Sequence, residues 1–268
     1  MPRKSRQARS RQRSHLLWAS LAMLIVIAVS AGTVWWWSHQ KPPLDADSMC
    51  PSDGPLGHHV LLVDTTDPLN ETQKAAVDLI VRRLVERDTP PGYLMSVFVL
   101  GDNFKLDAKP LVELCNPGNA QGHSQLTENL KQIQRRYSDR FIQPLMAQTE
   151  QMMRNEPARE SPILEMLQMV NLNALDKRDV SGPRQLIVLS DLMHHNKQLS
   201  MYRDVPNYDT FAQSDYGRKT RISFKDTDVQ VWLIQNTNGA KQQRVTDFWQ
   251  RYFKDNGAAH LNIELLPG

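Results

Sequence analysis

The sequence predicts an α/β domain of three layers, a mainly parallel sheet with helices on both faces, preceded by one transmembrane helix. Two observations carry this. Short apolar runs alternate with amphipathic stretches through the body of the chain, which is the pattern of a parallel sheet covered on both faces. Near the N-terminus, Leu16 to Trp37 is a run of 22 residues without a charge. The 268 residues, 40% hydrophobic and 23% charged, suit one sizeable domain or two small ones and exclude wholesale disorder. Neither an internal repeat nor a second core is evident, so 58–268 reads as one domain.

Taken in order, residues 1–15 form a basic tail with Arg3, Lys4, Arg6, Arg9, Arg11 and Arg13 and no acid. The span 16–37 follows, and at 1.5 Å per residue it reaches about 33 Å, enough for the hydrocarbon core. Trp18 stands near one end and Trp35, Trp36 and Trp37 at the other, where amphipathic rings favour the interface. Six cations precede the span, so the positive-inside rule places the N-terminus in the cytoplasm and the remainder outside it. The competing reading is a cleaved signal peptide, but the apolar run is long for one and only Val29-Ser30-Ala31 resembles a cleavage site.

Residues 38–57, rich in Pro, Gly, Ser and Asp, read as a linker. His59–Asp64 is a buried strand, with Thr66 or Asp67 capping a helix that carries Ala76, Leu79, Ile80 and Leu84. Thr89-Pro90-Pro91-Gly92 stops that helix. Tyr93–Leu100 is the second strand and 101–123 a long loop. Helices are expected over Gln125–Asn155 (Leu126, Leu130, Ile133, Tyr137 and Phe141 in one stripe) and over Ser161–Leu172. Arg184–Asp191 is the third strand, 192–227 a long polar loop, Val229–Gln235 the fourth strand, Lys241–Asn256 a helix and Leu261–Leu265 the last strand.

The net charge of +3 conceals an asymmetry: outside the tail, 26 basic residues face 29 acidic ones. Such a body lacks the clustered positive field of a nucleic-acid binder. Two cysteines are too few for a disulfide scaffold or a cysteine-only zinc site. In an exported domain, Cys50 and Cys115 are a candidate disulfide between the linker and the loop after the second strand, with two free thiols as the alternative.

In open α/β sheets, ligands bind at the carboxyl ends of the strands. Two strands end there in carboxylates, Asp64 and Asp191. Asp64-Thr65-Thr66-Asp67 adds hydroxyls, and Ser161 opens Ser-Pro-Ile-Leu-Glu. Such an oxygen-rich set suits a hard cation such as Mg²⁺. The arrangement resembles the von Willebrand factor A (vWA) family, whose metal-ion-dependent adhesion site takes Asp-x-Ser-x-Ser after the first strand, a Thr opening a later helix and a strand-end Asp. Asp64 matches the first Asp and Thr66 the first Ser. The second Ser position falls on Pro68, which offers no ligand atom. Ser161 is similar to the family's Thr, and Asp191, in Ile-Val-Leu-Ser-Asp-Leu, to the Asp of its Thr-Asp-Gly segment, with Leu192 replacing Gly.

The resemblance covers roughly 58–268. It implies a Rossmann-like vWA fold, and a metal set of Asp64, Thr66, Ser161 and Asp191 whose last position a partner's carboxylate fills. It implies protein binding without catalysis or a small-molecule substrate, as an accessory subunit or scaffold of a membrane-associated system. With the short basic tail, it points to a bacterial inner membrane and a periplasmic domain. The alternative for both aspartates is local: they cap helices and satisfy loop amides.

A rival reading is a membrane-anchored metal-dependent hydrolase using Asp64, Asp191 and His194 with a metal-activated water. Against it, His194 and His195 are adjacent, and neighbours on an extended segment point to opposite faces; exposed loop histidines are the simpler account. The 192–227 loop carries Tyr202, Tyr208, Phe211 and Tyr216, either as partner anchors or as packing onto their own domain. Asn70-Glu71-Thr72 matches a glycosylation acceptor but opens a helix.

Overall fold

The computed structural model describes residues 4–38, 42–101, 109–121, 129–154, 158–177, 180, 182–235 and 239–266; within the first helix, side chains are described from Trp18 to Trp37. It divides into two compact units, up to Pro43 and from Leu44 onward.

The first unit is one helix, α1 (Lys4–Ser38). It begins well before the apolar run because Lys, Arg, Gln and Ala in the preceding stretch are good helix formers. Trp18–Trp37 has a mean hydropathy of 1.9 and is long and apolar enough to cross a membrane.

The second unit is a six-stranded sheet in the order β3-β2-β1-β4-β5-β6. The strands are β1 (Gly57–Asp64), β2 (Tyr93–Leu100), β3 (Val112–Cys115), β4 (Arg184–Ser190), β5 (Thr227–Leu233) and β6 (His260–Leu265). All neighbours pair in parallel except β2 and β3. The α/β expectation therefore holds, with helices on both faces. Val60, Leu62, Leu186 and Val188 pack with α5 (Ile163–Val170), α6 (Tyr208–Gln213) and α8 (Gly239–Asp255). Leu61, Val63, Ile187 and Leu189 pack with α2 (Glu71–Arg83), α3 (Leu130–Tyr137) and α4 (Gln143–Met152). Alternate side chains of one strand feed two cores, so β1 and β4 read as unbroken apolar runs.

Several sequence expectations are corrected. The helix after β1 is capped by neither Thr66 nor Asp67. Asn70 accepts from the Gln73 amide, and Gln73 returns a side-chain bond to the Asn70 amide, a reciprocal capping box. Thr66 is drawn off by Asp64. The 101–123 loop contains β3, which reverses direction and pairs antiparallel on β2. The 192–227 loop contains α6 and α7 (Asp215–Lys219); of the two readings of its aromatics, Tyr208 and Phe211 follow the packing one, buried against Phe248. The helical stretch expected from Gln125 is α3 and α4 joined by a π-helical turn at Ser138–Ile142; its residues 125–128, including Leu126, lie outside the described residues, as do 102–108 and 122–123 of the loop.

Residues 44–56 of the expected linker belong to the compact unit. Leu44 bridges Pro51, the Cys115 amide donates to the Ser48 carbonyl at 2.8 Å, and Cys50 is disulfide-bonded to Cys115. No free cysteine remains.

Candidate functional site: an acidic cluster at the switch point

Strand order changes direction beside β1: β2 and β3 lie to one side, β4 to β6 to the other. The crevice beyond the carboxyl ends of β1 and β4 is the place where such sheets bind ligands. The register aligns Val63 with Leu189, so Asp64 and Ser190 come next, side by side. Both continue the alternation that faces α5. The sheet itself therefore delivers the Ser190 hydroxyl to Asp64 Oδ2, at 2.7 Å.

Three connections are knitted around that point. The Ala158 amide donates to the Thr66 carbonyl at 2.9 Å, and Ser161 and His195 exchange two main-chain bonds at 2.7 and 2.8 Å. They bring in the remaining donors. Asp64 Oδ1 accepts from the Thr66 amide at 3.0 Å and the Thr66 hydroxyl at 2.6 Å; Oδ2 also receives the Ser161 hydroxyl at 3.5 Å. Asp64, Thr66 and Ser161 are thus brought together. Asp191 stands beside them but bonds elsewhere. Its Oδ1 accepts the Met193 amide at 2.9 Å, and its carboxyl shares a hydrogen bond with Asp67, whose Oδ2 accepts the Tyr202 hydroxyl.

Asp64 and Asp191 are only 6% and 4% exposed. Burial raises the Asp64 pKa, against the pull of the Thr66 and Ser190 hydrogen bonds. Burial, and then the neighbouring Asp64 charge, push Asp191 up to about 8. The reason is general: a carboxylate removed from water, with another beside it, favours its protonated form. Between Asp64, Asp67, Leu69, Asp191 and Ile234 lies a cavity of about 10 Å³, roughly one water in size. Next to it is an open cleft of about 220 Å³ lined by Thr66, Asp67, Arg159, Ser161, His195 and Tyr202.

The donor chemistry, carboxylate and hydroxyl oxygens around two buried acids, fits a hard divalent cation that keeps several waters. It does not make a closed cage. Among the described residues no group of three or more His, Cys, Asp or Glu side chains is arranged to hold a metal ion, and Pro68 contributes no donor.

The turn after β4 is held tightly. Leu192 has φ +61°, the left-handed region that favours glycine, yet its side chain is fully buried. Its amide donates to Ser190 Oγ at 2.8 Å, and its carbonyl accepts Trp249 Nε1 at 2.8 Å. His194 is a core residue, not an exposed loop histidine. One ring nitrogen accepts the Leu164 amide at 3.4 Å, the other contacts the Tyr216 hydroxyl at 3.0 Å, and burial lowers its pKa to about 3.

Ser190 is the site residue that the sequence reading did not name; Asp67 and Tyr202 were named, in the Asp64–Asp67 run and among the aromatics of the 192–227 loop, but not as ligands. Ser190 had a legible signal: it precedes the strand-end aspartate, on the face that the β1–β4 register turns toward Asp64.

No protein-family profile matches the chain, and no curated protein sequence does. Among solved structures it is similar to the SpRpn10 VWA domain, with 14% identity and a TM-score of 0.38, over 79% of this chain and 89% of that one. It is also similar to an aerotolerance-related membrane protein of Bacteroides fragilis, with 9% identity and a TM-score of 0.36, over 77% of this chain and 91% of that one.

Proposed function

We propose that this chain is a membrane-anchored protein-interaction module with a vWA-like domain, and not an enzyme. In this reading α1 spans a bacterial inner membrane with its N-terminus in the cytoplasm, and the domain stands in the periplasm as an accessory subunit or scaffold of a membrane-associated system. The observation that supports it most is the convergence of Asp64, Thr66, Ser161 and Ser190 beside a second buried carboxyl at the switch point.

Asp64, Asp191, Thr66 and Ser161 are the residues that would hold Mg²⁺. A bound cation would offer an open coordination position to an acidic side chain of a partner. The chain's own part is to preorganise oxygens: the two main-chain bonds between Ser161 and His195 fix the hydroxyl, and Ser190 and Thr66 fix the Asp64 carboxylate. The cleft lined by Arg159, His195 and Tyr202 gives a partner side chain access. The hydrolase alternative finds no support at His194, whose ring nitrogens are engaged by Leu164 and Tyr216.

The test is a Mg²⁺ and Mn²⁺ titration of the full chain in detergent, by calorimetry and thermal shift, against Asp64→Asn/Asp191→Asn. Cation at a hundredfold excess over Kd stabilises the native state by about 2.7 kcal/mol. For a domain of this size that is a rise of roughly 5–10 °C. A rise in the wild type alone supports the cation reading, while no rise in either protein sinks it and leaves a metal-free interaction domain.

A further inference from the structure

The Ser161 hydroxyl makes the longest of the contacts to Asp64, at 3.5 Å, and it owes its place to a loop. Ser161 exchanges its main-chain bonds with His195. His195 lies in the stretch between β4 and α6, which belongs to no helix or strand. Much of that stretch is fastened to itself. The Met201 amide donates to the His194 carbonyl and the Asn196 amide to the Leu199 carbonyl, both at 2.9 Å. Asn196 Oδ1 accepts the Gln198 and Leu199 amides, also at 2.9 Å. What ties this turn to the rest of the domain is the pair of side chains flanking His195, those of His194 and Asn196, both buried.

The protons in that tie can be placed by the chemistry of each group. A main-chain amide only donates, so His194 Nδ1, facing the Leu164 amide, is an acceptor and the ring proton sits on Nε2. Burial, which lowers the His194 pKa to about 3, keeps the ring in this neutral form. Nε2 then donates to the Tyr216 hydroxyl at 3.0 Å. Asn196 Nδ2 sends its two protons to Tyr216 Oη at 2.7 Å and to Glu165 Oε1 at 2.8 Å. Both lone pairs of the hydroxyl are now taken, and its own proton goes to Glu165 Oε1 at 2.7 Å. Three elements meet at that one oxygen: α5 through Glu165, α7 through Tyr216, and the loop through residues on both sides of His195.

We propose that Tyr216 is a positioning residue for the candidate cation site, its hydroxyl holding the loop so that His195 in turn holds the Ser161 hydroxyl on Asp64. This role rests on the cation reading proposed above, whereas the link from Tyr216 to Ser161 stands on the geometry alone. Phenylalanine at 216 would keep the ring in place edge-on to Phe211 and remove only the hub. His194 Nε2 and one proton of Asn196 would lose their acceptor, and Glu165 Oε1 would lose a donor. Buried polar groups left in that state are costly, and a network fails as a unit. The relief available is for the loop to lift from α5 and admit water. His195 lies between the two released side chains, so the movement passes to Ser161.

The experiment uses the full chain in detergent and two variants, Tyr216→Phe and Tyr252→Phe. Tyr252 is the control, because its hydroxyl is also buried in the same core but donates to the Thr220 carbonyl, outside the loop, at 2.8 Å. Amide hydrogen exchange is followed by mass spectrometry in chelator. In Tyr216→Phe, peptides carrying Ser161 and His195 should exchange about tenfold faster, with β1 and β5 peptides unchanged. In Tyr252→Phe the same two peptides should match the wild type even where the melting temperature falls. Calorimetric titration with Mn²⁺ should then show roughly tenfold weaker binding in Tyr216→Phe alone, as is usual when a group that orients a ligand is lost. Equal exchange in the two variants, or faster exchange spread over β1 and β5, would overturn the proposal and leave Tyr216 a residue of the core. So would an unchanged Mn²⁺ affinity in Tyr216→Phe. If the wild type binds no Mn²⁺ the cation reading fails, and the exchange arm still decides whether Tyr216 places Ser161.

Discussion

Reducing the Cys50–Cys115 bridge, or replacing both residues in Cys50→Ala/Cys115→Ala, is expected to cost this domain about 4 kcal/mol. The bridge joins residues 65 apart in sequence. In the chain-entropy account, releasing a loop of that length returns about 14 cal/mol/K to the unfolded ensemble, or about 4 kcal/mol at 25 °C. The native contacts around the bridge should change little. The Ser48 carbonyl keeps the Cys115 amide, the Asp45 carboxylate keeps the Ser48 amide and hydroxyl, and Met49 stays buried. The loss therefore lies in the unfolded state, and it should appear as a lower urea midpoint with a slightly larger m-value, since an open chain exposes more surface. At roughly 2–4 °C per kcal/mol the melting temperature should drop by about 8–16 °C. Equilibrium urea unfolding with and without reductant measures it. A difference under about 1 kcal/mol would refute the reasoning, because it would mean that the unfolded chain gains little freedom from an open loop.

Three further outcomes are expected. Between the ordinary carboxylate range and about 8, the folded chain keeps a proton on Asp191 that the unfolded chain has released, and Asp64, also raised, acts in the same direction, so stability should fall as pH rises across that window. Melting curves from pH 4 to 9 in chelator should show the slope, and Asp191→Asn should flatten it. Ser190→Ala removes the 2.7 Å donor from buried Asp64 Oδ2; denaturant unfolding should register a loss of about 1–3 kcal/mol. Leu192→Ala and Leu192→Gly should both destabilise, each by about 2–5 kcal/mol for the lost burial. Gly should nonetheless equal or exceed Ala here, reversing the usual order, because only Gly relieves the left-handed backbone. A Gly variant that unfolds well before the Ala variant would contradict the strain at this position.

What the sequence disclosed depended on how local each cause was. The runs HVLLVD, YLMSVFVL and RQLIVLS declare strands because both faces are covered and their interiors are apolar apart from Ser96. The Asp64, Thr66 and Ser161 grouping was visible because strand ends and helix starts are readable signals. β3 was not visible: four residues, three of them half-buried, with no flanking alternation to distinguish them from the loop. The cap of α2 was misplaced because Thr66 and Asn70 are both good caps, and the choice rests on Asp64 holding Thr66. Ser190 acts on a carboxylate 126 residues away, through a register that no local pattern encodes. The short helices α6 and α7 carry too few turns to show a period, and their aromatics read as loop residues until α8 supplied the surface that buries them.

The same disulfide has a mechanical meaning for a domain that follows a helix long and apolar enough to cross a membrane. Its ring encloses β1, α2, β2 and β3, which is all of the sheet on one side of the switch point together with the strand at its centre. Tension arriving along the chain from α1 reaches Cys50 and passes through sulfur to Cys115, so the segment between them, a separation of 65 in sequence, cannot be drawn out. At about 3.5 Å per extended residue, roughly 230 Å of contour length is withheld from any pull. Under load between the two chain ends, β4, β5 and β6 would peel away while the ring keeps its length, so half of the sheet is extensible and half is inextensible.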